Sequence, residues 1–147
     1  MKRHHKALFV VALLLLGCTV RYIAEYDPII DGNARHLQDK LDALFEDLSR
    51  TAGTPEGAYE HYAARYDAMR VDIAGLQYDA AAQSKNELTN TSLSLLDDNL
   101  HLLEAAHREG LSRAEVPVLR KLFDTQLRMI VQLETAKKRE RASGGSS

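Results

Sequence analysis

The chain has 147 residues, 45% of them hydrophobic and 27% charged, with three prolines and eight glycines; this suits one globular domain and excludes collagen-like or low-complexity architecture. The formal net charge is −2, and setting aside residues 1–17, which hold Lys2, Arg3, Lys6 and no acid, leaves 16 of the 19 basic residues against all 21 acidic ones, a balance that argues against a nucleic-acid partner. Cys18 is the one cysteine, so no intramolecular disulfide can form.

The start of the chain carries the most specific signal. Lys2, Arg3 and Lys6, with His4 and His5, precede an apolar run at residues 7–16, the order of a signal peptide's charged and apolar regions. Ten apolar residues make roughly 15 Å of helix, against the roughly 30 Å of a bilayer's hydrocarbon core. The run ends in Leu15-Leu16-Gly17-Cys18, which resembles the lipobox of bacterial lipoproteins. That resemblance implies cleavage between Gly17 and Cys18, a diacylglyceryl group on the Cys18 sulfur and N-acylation of the new amino terminus. It also implies a cell-envelope location. Thr19 in the next position favours the periplasmic leaflet of the outer membrane over the inner membrane. Two or three acyl chains hold a domain at a bilayer where one is marginal. On this reading residues 1–17 are the signal peptide and 18–30 the lipidated cysteine with a short tether containing Tyr26-Asp27-Pro28. Residues 31–141 are then the folded domain and 142–147, ending Ser-Gly-Gly-Ser-Ser, a disordered tail.

The folded part reads as an all-α, antiparallel bundle of four helices. Ile30, Ala34, Leu37, Leu41, Leu44 and Leu48 recur in threes and fours and predict a first helix from Asp31 to near Gly53. Thr54 and Pro55 have the pattern of an N-cap and first helical residue. They predict a second helix with its stripe on Tyr59, Tyr62, Tyr66, Met69, Ile73, Leu76 and Ala80. Leu93, Leu96, Leu100, Leu103 and His107 mark a third helix, and Leu88, Leu95 and Leu102 widen its apolar face enough to touch two neighbours. Gly110 predicts its stop. Ser112 and Glu115 have capping-box spacing, and Val116, Leu119, Phe123, Leu127, Ile130 and Leu133 predict the fourth helix, with Pro117 awkward in its first turn. A turn is expected at residues 84–86. Without it the second and third helices fuse into a rod of over about 50 residues, roughly 80 Å, and the molecule is an elongated three-helix arrangement. The basic run Lys137, Lys138, Arg139 and Arg141 suits a solvated helix C-terminus, or contact with anionic lipid head groups.

Three features compete for function. Tyr59, Tyr62 and Tyr66 form either a core edge or a partner-binding strip, and Leu95 and Leu102 suggest a second contact surface. Glu104 and His107 make one Glu-x-x-His pair, half of what a di-iron bundle uses. The plainer expectation puts His107 at the core edge and Glu104 in solvent. Met69 with a histidine could bracket a haem, although no attachment motif is present. No nucleophile–base, phosphate-loop or dinucleotide motif appears, which disfavours an enzyme. Together with the Leu-rich helices, the lipobox makes the chain similar to small helical lipoproteins of proteobacteria. The expectation is a membrane-tethered, non-enzymatic module. It would bind an envelope protein as an adaptor, assembly subunit or modulator, or associate with itself, and carry no cofactor beyond the lipid on Cys18. The alternative is a periplasmic metal- or haem-binding bundle.

Overall fold

The computed structural model describes residues 24–144; the lipobox and the residues before it lie outside that range. Four helices follow one another, α1 (Pro28–Thr51), α2 (Ala63–Ala81), α3 (Glu87–Gly110) and α4 (Val116–Gly144), with single 3-10 turns at Pro55–Gly57 and Tyr59–His61. Successive helices pack antiparallel and α4 closes against α1, giving an up-down-up-down four-helix bundle.

Helix α1 begins three residues earlier than its stripe predicts. The Asp27 Oδ1 accepts from the Ile29 N–H at 2.8 Å and Pro28 takes the first helical position, where its missing N–H costs nothing. Ile30, Ala34, Leu37, Leu41, Leu44 and Leu48 are all buried, joined by Phe45, whose ring lies 5.6 Å from that of Phe123 on α4. The helix stops at Gly53, whose φ of 77° suits a residue without a Cβ.

The expected start of the second helix at Thr54 is corrected. Thr54 makes no cap hydrogen bond; its hydroxyl donates to the Thr51 carbonyl at 2.8 Å, and the chain takes two 3-10 turns before α2 starts at Ala63. The chain folds back on the end of α1 within six residues. Gly57 passes so close to the end of α1 that a Cβ there would lie 2.1 Å from the Thr51 carbonyl oxygen. Thr54 and Pro55 satisfy the local cap pattern, but this close approach bends the chain away from a continuous helix.

The turn expected at residues 84–86 is present, so the fused rod is excluded. Lys85 takes φ 63°, and Asn86, buried, donates from Nδ2 to the Ala80 carbonyl at 3.0 Å. At the other end of α3, Gly110 has φ 110°. The capping box then forms on its glutamate side, the Glu115 carboxylate accepting from the Ser112 N–H at 2.9 Å and hydroxyl at 2.6 Å. Pro117 becomes the second residue of α4, a position that needs no N–H donor. Helix α4 runs on to Gly144, so residues 142–144 of the predicted disordered tail are helical.

A polar latch ties the incoming chain to this bundle. The Ala24 N–H donates to the Lys85 carbonyl at 3.1 Å, Gln83 Nε2 to Asp27 Oδ2 at 2.7 Å, and the Lys138 ammonium lies 5.4 Å from the Tyr26 ring centre. Behind it Lys137 and Glu134 form a buried ion pair, and Lys137 also donates to Asn86 Oδ1 at 2.6 Å and Thr89 Oγ1 at 3.2 Å. Lys137 therefore leaves the solvated basic run that the sequence suggested. No helix among the described residues is long and apolar enough to cross a membrane.

Candidate functional site

The far end of the bundle, where the 3-10 turns meet the C-terminal half of α3, holds a buried polar and aromatic network. His107 is buried, with its ring against those of Tyr59, Tyr62 and Tyr66. Its Nε2 lies 2.7 Å from the Gly57 carbonyl, an acceptor only, so the ring proton sits there. Nδ1 is then left to accept from the Tyr66 hydroxyl at 2.9 Å. This one neutral tautomer satisfies both nitrogens. Burial, with the negative charge of Glu104 nearby, pushes the Tyr66 phenol far above its ordinary range, so Tyr66 stays a donor.

Glu104 is not solvated as expected; it is buried beside this cluster. Its carboxylate accepts from the Tyr59 hydroxyl at 2.6 Å and from Arg108 at 2.7 Å, and pairs with Arg70 from α2. Desolvation would raise the carboxyl pKa, but the Tyr59 and Arg108 hydrogen bonds and the charge of Arg70 outweigh it and hold the group below the usual carboxylate range. Arg108 also lies over the Tyr59 ring, 4.3 Å from its centre. The sequence reading missed Arg70 and Arg108; the i to i+4 spacing of Glu104 and Arg108 was the available signal for one of them.

These contacts revise two candidate sites. Tyr66 is fully buried, Tyr62 nearly so, and Tyr59 is partly buried, so the predicted tyrosine strip is mostly core. Met69 is buried in the apolar core. Glu104 and His107 spend their polar atoms on protein partners, and among the described residues no three His, Cys, Asp or Glu side chains are grouped to hold a metal ion. A depression of about 360 Å³ lies over His107 and Arg108, bounded by Gly53 and Ser112.

Leu95 and Leu102, in contrast, lie on the surface, 53% and 67% exposed, in line with Leu88 at 65%. The seven-residue spacing puts them on one stripe of α3. On the adjacent face of α4, Val118, Leu122 and Met129 are also exposed, and Met129 meets the α3 stripe where the Ser92 hydroxyl reaches its sulfur at 3.9 Å. Among the described residues, six of the nine exposed large apolar side chains thus sit on two neighbouring helices. The α4 half of this face was missed, although Leu122 and Met129 also stand seven residues apart. Compared with models of protein families, with curated proteins and with solved structures, the chain matches none.

Proposed function

We propose that this chain is a lipid-anchored protein of the bacterial cell envelope, held at the membrane through Cys18, whose helical bundle binds a partner protein through the outer face of α3 and α4. It acts as a non-enzymatic adaptor, assembly subunit or modulator. The observation that carries the reading is the exposed stripe of Leu88, Leu95 and Leu102 beside Leu122 and Met129. A contiguous apolar surface is costly to leave in water and is characteristic of protein interfaces. The latch at Ala24 supports tethering, because it holds the bundle a few residues from the proposed anchor. The interior network supports a structural use of Glu104 and His107, since their hydrogen-bonding capacity is taken up within the fold.

Photo-crosslinking in the native envelope tests the interface. A crosslinker at Leu95 or Leu102 should give discrete protein adducts, and one at Val71, equally exposed on α2, should not. Adducts independent of position, or none from Leu95 and Leu102, would reject the assignment.

A further inference from the structure

The two helices that carry the exposed stripe are oppositely charged. Leaving out the buried Glu104, Glu134 and Lys137, α3 has four acidic residues against one basic, and α4 has six basic against two acidic. Helical spacing places Asp98 on the outer flank of the α3 stripe and Lys121 and Arg128 on the outer flank of the α4 stripe. All three are exposed and have no ion-pair partner among the described residues.

We propose that this face is covered by a second copy of the chain, α3 of each copy packing antiparallel on α4 of the other around a two-fold axis parallel to the helices. This names the occupant of the surface assigned above and rests on that assignment. An isologous contact between two-helix faces can be built around two axes. An axis perpendicular to the helices sets α3 on α3 and α4 on α4, acid against acid and base against base. The parallel axis sets acidic α3 on basic α4 twice. Within one chain Ser92 stands level with Met129, and Thr89 with Glu134 at 3.5 Å. The parallel axis preserves that level between copies. Leu95 then meets the partner's Leu122 and Met129, Leu102 meets the partner's Val118 and Leu122, and Asp98 comes within about one turn of the partner's Lys121.

The anchor selects the same axis independently. Cys18 and Ala24 are six residue steps apart, a reach of at most about 20 Å, whereas α1 with its 24 residues spans about 36 Å. A parallel axis keeps both Ala24 ends on one side, so both lipids reach one membrane. A perpendicular axis would place one Ala24 out of reach.

The test uses the full chain, processed in a bacterial envelope and extracted in mild detergent. Its molar mass, corrected for detergent, should be that of a dimer at micromolar concentration. Asp98→Lys should weaken the dimer by about tenfold, since two symmetry-related attractions become repulsions, and Asp98→Lys with Lys121→Asp should restore it. Leu95→Asp should weaken it by about a hundredfold or more, with helicity by circular dichroism unchanged. Asp98→Cys with Lys121→Cys should crosslink copies where either cysteine alone does not. A monomer at all concentrations, a dimer indifferent to Leu95→Asp, failure of the charge exchange to restore it, or Leu95→Cys self-crosslinking in place of the 98–121 pair would each overturn the proposal. A monomer whose Leu95 still crosslinks to a different envelope protein would overturn it and leave the partner-binding assignment standing; loss of both would remove both.

Discussion

Glu104→Ala removes the carboxylate at the centre of the interior network. Its side chain is 6% exposed, while those of its partners Arg70 and Arg108 are 28% and 58% exposed. Breaking a fully buried pair costs about 3–5 kcal/mol. Arg108 can turn to water at little cost, so the penalty falls on Arg70, on the Tyr59 hydroxyl and on the space left behind. The destabilisation should be about 2–3 kcal/mol. For a domain of this size that is a fall in Tm of roughly 6–12 °C, and in urea a lower midpoint with an unchanged slope. The pH dependence gives a second reading. Because the folded-state pKa of Glu104 is depressed, its contribution is fully present above the unfolded value near pH 4.5 and disappears as pH falls through the lower folded value. Wild-type stability should therefore decline as pH falls below about 4.5, and Glu104→Ala should flatten part of that decline. A variant within about 0.5 kcal/mol of wild type, keeping the same pH slope, would refute the reasoning.

Three further substitutions test other parts of the fold. Tyr66→Phe leaves the buried His107 Nδ1 without its donor and should cost about 1–2 kcal/mol in urea unfolding, whereas Tyr78→Phe, on a residue 79% exposed, should cost nothing measurable. Gly57→Ala forces a Cβ onto the Thr51 carbonyl and should cost about 2 kcal/mol or more, with amide shifts concentrated in residues 51–62. Lys137→Ala strands the carboxylate of Glu134, which has no exposed surface, and should cost about 3–5 kcal/mol by denaturant titration, while Lys137→Met with Glu134→Leu should recover most of it.

The bundle was legible in the sequence because its information is periodic. Ile30 to Leu48 and Leu93 to Leu103 repeat in threes and fours wherever a helix meets the core, and no long-range knowledge is needed to read that. Gly110 and the Ser112–Glu115 box were legible for the same local reason. What the sequence misstated depends on contacts that helical periodicity and cap patterns do not encode. Thr54-Pro55 looks like a helix start until Gly57 is packed on Thr51. Glu104 looks solvated until Tyr59 and Arg70 are brought to it from other elements. The tyrosines of the 3-10 turns and α2 were ambiguous, because a phenol can line a core or an interface equally well; His107 and Thr51 supply the inward partners that decide for Tyr66 and Tyr62. Lys137 belongs to the same class, a basic residue near a helix end that finds Glu134 and Asn86 inside. Leu88, Leu95 and Leu102 were expected to widen the packed face of the third helix so that it touches two neighbours; they are exposed instead, because the stripe from Leu93 to Leu103 already fills the core.

The proposal that this bundle is held at a membrane through Cys18 is tested most directly by the intact mass of the chain extracted from membranes of its native host. The predicted result is a polypeptide beginning at residue 18 and carrying two or three acyl chains, with Cys18→Ala abolishing both the lipid and the membrane association. A chain with an unmodified cysteine, or one retaining residues 1–17, would contradict the account and move the search for partners of the α3 and α4 face away from a lipid-tethered setting.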